Sequence, residues 1–276
     1  MLHSITLDDL RILAVTGGDR AIFLQGQLTQ DVASVRSDTT LMAGWADAKG
    51  RLLFAGHLFS IHAGSEEALA LLVPAELADA LLKRLRMYVL RAKVQVSLLD
   101  QAIVGRLGIP DRGTPDQAIR LLGRPDRHLL LGTAASATTC ARGDWQLADI
   151  RDGIPEITAA TTGKFVPQMV NLDLLDGISF TKGCYTGQEI VARMKYLGRV
   201  KRRMLHFSVP GTPPAAGTPL YSERGVVGAV VSAAATASGT EFLAVVLLDD
   251  LPGPFHLDKA MTRPAERLSL PYEVPT

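Results

Sequence analysis

Residues 177–203 read GISFTKGCYTGQEIVARMKYLGRVKRR, and this stretch is the most informative in the chain. Thr186 and Glu189 have the spacing of a capping box, which predicts a helix over about residues 187–197 that ends at Gly198. Cys184 directly precedes this helix, where the helix dipole and nearby Lys182 favour a thiolate. The stretch therefore predicts a reactive cysteine at a helix start, with a small buried packing residue as the alternative.

The same stretch is strongly basic. It holds six cations within eleven residues, namely Arg193, Lys195, Arg199, Lys201, Arg202 and Arg203. They indicate either a solvated helix end or a site for a polyanion, such as phosphates or a chain of carboxylates. Tyr196 is the only aromatic residue among them, so a stacking platform for single-stranded nucleic acid is weakly supported.

Outside this stretch, strand and helix patterns follow each other without regular alternation, which favours an α+β fold. Residues 52–61, 93–98 and 102–107 have strand character, residues 110–115 form a loop, and an amphipathic helix follows Pro74. Residues 209–220 hold four prolines and predict a linker. Later residues contain strand patterns at 226–232 and 242–248. We therefore expect two domains, residues 1–208 and a mostly β domain over 209–276.

Composition excludes several protein classes. The chain has 276 residues, 47% of them hydrophobic, and a formal net charge of +1, which excludes a disordered chain and a globally basic nucleic-acid coat. Cys140 and Cys184 cannot form a disulfide framework or hold an iron–sulfur cluster alone, and the six histidines lack metal-ligand spacing. Residues 1–11 lack a secretion-signal pattern, and no apolar run could span a bilayer, so we expect a cytoplasmic protein with no metal site of its own.

Trp145 is a further candidate, since a planar indole can stack on a flat heterocycle. The alternative is that it fills the core. A phosphate-binding glycine loop, a dinucleotide fingerprint and a nucleophile elbow are all missing from the sequence.

The run KGCYTGQE (182–189), followed by IVAR (190–193), Gly198 and Lys201-Arg202, resembles the signature of the YgfZ/GcvT-like folate-binding family, which is related to the glycine cleavage T-protein. Supporting motifs are FLQGQLTQD (23–31), DAKGR (47–51), GIPE (153–156), FVPQ (165–168) and NLD (171–173). The resemblance covers nearly the whole chain. It implies two interleaved ferredoxin-like α+β modules and a C-terminal β-barrel around a central opening.

The resemblance also implies a function. The family binds tetrahydrofolate, or a derivative, in the central cavity and supports iron–sulfur cluster assembly or repair in client enzymes, including enzymes that thiolate tRNA. Cys184 matches the functional thiol, and expected partners are folate and iron–sulfur client or assembly proteins, without a membrane. Combining the resemblance with the residue chemistry gives the candidate folate-binding set Trp145, Gln188, Glu189, Arg193, Lys201 and Arg202. Arg199 and Arg203 are expected to remain mostly in solvent. The motif-supporting residues are Lys182, Gly183, Tyr185, Thr186 and Gly187.

Several positions depart from the T-protein pattern. Phe54 and Ala55 stand where T-proteins carry an acidic pair, and neither residue can transfer a proton. Arg151 replaces the acid that grips the pterin, and Leu10 replaces a second tryptophan of the YgfZ branch. We therefore expect an accessory protein rather than a turnover enzyme. The alternatives are a folate-dependent aminomethyltransferase and a direct tRNA-binding protein, the latter disfavoured by the near-neutral net charge.

Overall fold

The first half of the chain builds one large curled sheet. The computed structural model describes residues 3–108, 119–121, 124–132, 139–196 and 198–275. Its nine-stranded sheet has the order β1-β7-β9-β8-β3-β4-β5-β2-β6. The strands are β1 (His3–Thr6), β2 (Leu10–Thr16), β3 (Thr39–Ala46), β4 (Leu52–Ala63), β5 (Glu66–Pro74), β6 (Gln95–Leu99), β7 (Ile103–Leu107), β8 (Ile119–Leu121) and β9 (Arg124–Leu131).

The first two strands of the chain belong to different halves of this sheet. β1 pairs with β7, whereas β2, which follows it directly, lies between β5 and β6 in the other half. A short parallel pairing of β3 with β8 joins the halves. The half built from β2 to β6 is therefore one continuous stretch, residues 10–99, whereas the other half combines β1 with strands that follow residue 102.

Among the described residues, four α-helices accompany the sheet: α1 (Arg20–Gln25), α2 (Ala75–Arg86), α3 (Arg142–Arg151) and α4 (Gln188–Tyr196). α2 buries Leu77, Leu81 and Leu85 on one face against β2, β5 and β6, as its predicted apolar stripe requires. None of the helices in the described ranges is long and apolar enough to cross a membrane.

The remaining strands close into a six-stranded barrel in the order β10-β13-β12-β11-β14-β15. They are β10 (Arg202–Val209), β11 (Pro219–Ser222), β12 (Gly225–Thr236), β13 (Gly239–Leu247), β14 (Phe255–His256) and β15 (Pro264–Leu268). The barrel thus begins at Arg202, ahead of the predicted boundary at residue 208. The proline-rich segment 209–220 connects two barrel strands rather than two domains.

The barrel and the sheet share a core. Met204, Val231 and Leu243 of the barrel belong to the same buried apolar cluster as Leu13, Trp45 and Phe54 of the sheet. α3 lies between the two parts, in contact with β1, β12 and β13. The α+β class with a C-terminal barrel is confirmed. The sequence patterns missed α3 and β5, and the loop predicted at residues 110–115 lies outside the described residues.

Candidate functional site

The cysteine loop, residues 182–187, is fastened to the segment that follows α1. Lys182 Nζ donates to the carbonyl oxygens of Gln25, Leu28 and Gln30 at 2.7, 2.8 and 2.8 Å. Burial lowers the pKa of Lys182 to about 8, opposed by the negative charge of Asp31. The ammonium group therefore acts as a structural clamp between two chain segments.

The start of α4 differs from the predicted capping box. The Thr186 amide donates to Gly26 O rather than to Glu189, and Gln188 Oε1 accepts from the Tyr185 amide at 3.3 Å. Gly187 has φ +81°, and a Cβ there would lie 2.4 Å from the Asp47 carbonyl oxygen. Gly187 is thus required by the protein's own backbone, and Gln188 ties the first turn of α4 back to the cysteine loop.

Cys184 is exposed at the outer part of this loop. The alternative in which it is a small buried packing residue is therefore wrong. Its neighbour Gly183 has open space where a Cβ would stand, whereas Tyr185 is buried, with Lys182 Nζ 5.2 Å from its ring centroid. The thiol is thus exposed to solvent on a loop whose other side is anchored.

The remaining family motifs hold this loop and helix in place. Gln168 is buried, and its Nε2 donates to the Val191 carbonyl in α4 at 2.7 Å. Thr29 Oγ1 donates to Gly177 O at 2.6 Å, just before the cysteine loop. Asn171 Nδ2 donates to Met204 O at 2.7 Å in the first barrel strand. These buried polar residues therefore hydrogen-bond the segments next to the cysteine loop to one another and to the barrel.

The basic stretch divides into exposed and buried members. Arg193, Lys201 and Arg202 are exposed, as is Glu189. Arg203, which was expected to remain in solvent, is only 5% exposed and forms a bidentate ion pair with Asp173 at 2.6 and 3.0 Å. That expectation is wrong because Arg203 packs against residues 168–173, where Gln168 O and the Asp173 carboxylate accept from its guanidinium.

A cavity of ≈ 230 Å³ opens between β3, β4, β9 and residues near 174 and 272. Burial, followed by the charges of Arg127 and Arg124, lowers the pKa of His57 to about 3, so the imidazole is neutral at pH 7. Its Nδ1 lies 3.0 Å from Thr40 Oγ1. The lining combines apolar walls with a few polar groups, as in small-molecule sites. The apolar residues are Met42, Ile154, Leu174, Leu175 and Pro271, and the polar residues are Thr40, His57, Arg124, Asp176 and Tyr272.

None of the predicted folate-binding residues lines this cavity, and neither does Cys184. Trp145 is 2% exposed and lies one layer behind it. The Arg127 guanidinium covers the indole at 4.1 Å from the ring centroid, and a Cβ at Gly105 would lie 2.5 Å from the indole Cε3. Asp152, an ion-pair partner of Arg127, also pairs with Arg124 at the cavity wall. The indole therefore has no free face for a ligand in this conformation.

Curated relatives of the chain identify its family. It is 36% identical over 248 residues to the tRNA-modifying protein YgfZ of Vibrio vulnificus strain YJ016, covering 80% of this chain and 74% of that protein. It is 33% identical over 286 residues to the tRNA-modifying protein YgfZ of Serratia proteamaculans, covering 91% and 86%. The chain belongs to the YgfZ family. No family profile matches it.

A solved structure places the YgfZ-family chain in the T-protein fold. The crystal structure of the glycine cleavage system aminomethyltransferase T from Bartonella henselae superposes with a TM-score of 0.68 at 14% identity, covering 98% of this chain and 86% of that one. At this identity the likeness concerns the fold alone.

The departures from the T-protein pattern lie in distinct environments of this YgfZ-family structure. Phe54 and Ala55 are buried in the core, 1% and 5% exposed, and neither lines the His57 cavity. Arg151 forms a bidentate ion pair with Glu241 of the barrel, and Glu241 also contacts His206 Nε2 at 3.1 Å. Arg151 therefore joins α3 to the barrel.

The cavity was missed by sequence reasoning. His57 was considered only as a possible metal ligand and was set aside for lack of spacing. Its environment is created by strands and loops that are distant in sequence, from Thr40 to Tyr272. A single histidine within an apolar strand carries no local signal of such a site.

Proposed function

We propose that this YgfZ-family protein is a cytoplasmic, folate-binding accessory protein for iron–sulfur cluster assembly or repair, through which it affects tRNA modification. The observation that carries the proposal is the exposed thiol of Cys184 on a loop anchored by Lys182 and Gln188. A chain with two cysteines cannot hold a cluster alone. Cys184 therefore acts as a transient ligand or contact for a client's iron or sulfur.

We assign the folate head group to the His57 cavity. Its apolar walls suit a flat pterin, and Asp176, Thr40 and Tyr272 offer polar partners for the ring nitrogens and amino group. The volume is below the roughly 300–1,000 Å³ of sites that enclose a drug-sized ligand. The glutamate tail would therefore extend outside, where the exposed Arg193, Lys201 and Arg202 remain candidates for its carboxylates.

Trp145 supports this site as a positioning residue rather than by direct stacking. It contacts Arg127, whose partner Asp152 holds Arg124 at the cavity wall. His57→Leu should weaken tetrahydrofolate binding at least tenfold in a calorimetric titration, and Trp145→Phe should weaken it less. The reverse order would place the pterin on the indole and refute the assignment.

The thiol is tested by genetic rescue. In cells that lack their own YgfZ-family protein, Cys184→Ser should fail to restore thiolated tRNA nucleosides and the activity of iron–sulfur enzymes. Cys140→Ser, the matched control, should restore both, and both variants should bind tetrahydrofolate like the parent. Full rescue by Cys184→Ser would show that the thiol is dispensable.

Two alternative functions can each be tested separately. Aminomethyl transfer is disfavoured because Phe54 and Ala55 are buried and cannot move a proton; turnover with a glycine-derived aminomethyl carrier would establish it. Direct tRNA binding would use the exposed Arg193, Lys201 and Arg202. Salt-sensitive tRNA binding that is lost on substituting Lys201 and Arg202 would establish that role.

A further inference from the structure

Helix α1 connects the cysteine loop with a second surface. At its start, Asp19 Oδ2 accepts from the Lys93 amide at 2.7 Å. At its other end, Gly26 O accepts from the Thr186 amide at 3.2 Å, and Gln25 O accepts from Lys182 Nζ. The segment that ends at Lys93 and the loop that carries Cys184 therefore lie at opposite ends of one six-residue helix.

The surface at the start of α1 exposes large apolar side chains. Leu90 is 87% exposed, Ile22 79% and Met87 64%, and Tyr88 is 37% exposed with its ring edge against Trp45. Met87, Tyr88 and Leu90 are close in sequence, and the hydrogen bond between Lys93 and Asp19 brings their segment to the helix that carries Ile22. We call these four residues the apolar face. Single exposed apolar residues are ordinary, but a cluster of them bordered by charges is typical of a protein-interaction site.

The border of the apolar face is basic. Residues 83–93 read KRLRMYVLRAK, with five cations and no acidic residue, in a chain whose net charge is +1. Lys83, Arg86, Arg91 and Lys93 are exposed. A partner surface that complements this one would carry acidic residues around apolar side chains. Leu90 and Met87 would gain little against phosphates, which favours a protein over a nucleic acid.

The apolar face is close enough to Cys184 for one partner to touch both. Four residues from Ile22 to Gly26 rise about 6 Å along a helix. The Gly26–Thr186 hydrogen bond adds 3.2 Å between its atoms, and two residues from Thr186 to Cys184 add at most about 7 Å. The total path is roughly 16 Å, whereas a standard interface of about 800 Å² per partner is about 30 Å across.

We propose that the apolar face and its basic border dock an acidic surface of the iron–sulfur client protein, and that docking brings the client's cluster site to Cys184. This inference rests on the proposed accessory function and names where the client binds. Affinity comes from burial of Leu90, Met87 and Ile22, while the cations orient the partner and speed its association.

The test uses the full chain and a purified iron–sulfur enzyme that thiolates tRNA as the probe. The double variant Met87→Glu/Leu90→Glu should raise the Kd for that enzyme at least tenfold, because it removes apolar contact and reverses the local charge. Val226→Glu is the matched control, since Val226 is 63% exposed on the barrel strand β12. It should stay within twofold of the parent. Unchanged circular dichroism and tetrahydrofolate affinity establish that the double variant is folded.

Equal binding by the parent and the double variant would overturn the proposal, and so would a parent chain that does not bind the enzyme. Binding of purified tRNA or of phosphatidylglycerol vesicles that the same substitutions abolish would also overturn it, in favour of a nucleic-acid or membrane surface. The Cys184→Ser variant distinguishes the docking surface from the proposed accessory function. It should bind the enzyme normally but fail to restore thiolated tRNA nucleosides in the genetic rescue. Normal docking with full rescue would refute the thiol's role and leave the docking surface standing.

Discussion

Replacing Lys182 by methionine removes the ammonium group that fastens the cysteine loop to the chain after α1. The parent Nζ donates to three carbonyl oxygens, those of Gln25, Leu28 and Gln30, at 2.7–2.8 Å. Methionine keeps a similar length and apolar stem but has no donor. The substitution therefore isolates the contribution of the three hydrogen bonds.

The expected loss of stability is the difference between two opposing terms. Hydrogen bonds from a charged donor contribute about 1.5–3 kcal/mol each, so three give roughly 5–9 kcal/mol. Burial of the ammonium opposes them: its pKa falls from 10.5 to about 8, which corresponds to a cost of about 3 kcal/mol at most, less where water reaches the group. Lys182→Met should therefore lower the free energy of unfolding by about 2–6 kcal/mol.

The same pKa predicts how the difference depends on pH. Below pH 8, Lys182 is protonated in both folded and unfolded chains, and the burial cost is fully present. Between about pH 8 and 10.5 the folded chain releases this proton first, so the parent's stability rises with pH relative to the variant. The difference between parent and Lys182→Met should therefore widen over that range.

Urea unfolding at pH 7 and at intervals up to pH 10 measures both quantities. Lys259→Met is the control, since Lys259 is exposed on the surface, and it should cost less than about 0.5 kcal/mol. A Lys182→Met variant as stable as this control, or a difference that stays flat above pH 8, would refute the clamp.

Two further predictions concern matched pairs of residues. In the native protein at neutral pH, a thiol reagent should modify exposed Cys184 at least tenfold faster than Cys140, whose pKa is raised by burial and a neighbouring carboxylate; equal rates would contradict the structure. Arg203→Met should cost about 3–5 kcal/mol in urea unfolding because it leaves the Asp173 carboxylate without its partner, whereas Arg202→Met should cost less than about 0.5 kcal/mol. Similar costs would mean that the buried ion pair is not formed.

Features encoded in local patterns were predictable. The apolar stripe of α2 and the position of α4 follow from residues a few positions apart, and the structure has both. α3 was missed because its buried face is narrow, with Trp145 and Ile150 as its buried residues. Arg202 and Arg203 could not be separated from the sequence, because the buried one is decided by its long-range partners, Gln168 and Asp173.

The site was less predictable because its contacts are long-range. Lys182 has main-chain carbonyls as partners, more than 150 positions away, and the sequence cannot show such acceptors. The family resemblance pointed to Cys184, and the structure adds that this thiol is exposed. The His57 cavity requires the tertiary fold, since Thr40, Arg124 and Tyr272 meet only there.

The pairing of β1 with β7 constrains how the chain acquires its structure during synthesis. Thr6 pairs with Val104 and His3 with Leu107, so this edge of the sheet cannot form until the ribosome has synthesised those partners. At about 5–20 residues per second, a gap of about 100 residues lasts roughly 5–20 seconds. Throughout that interval the nascent strand has no native neighbour, while β2, immediately behind it, can already pair with β5. A ribosome-bound fragment ending before residue 103 should therefore fold from β2 onward and leave β1 open to proteases.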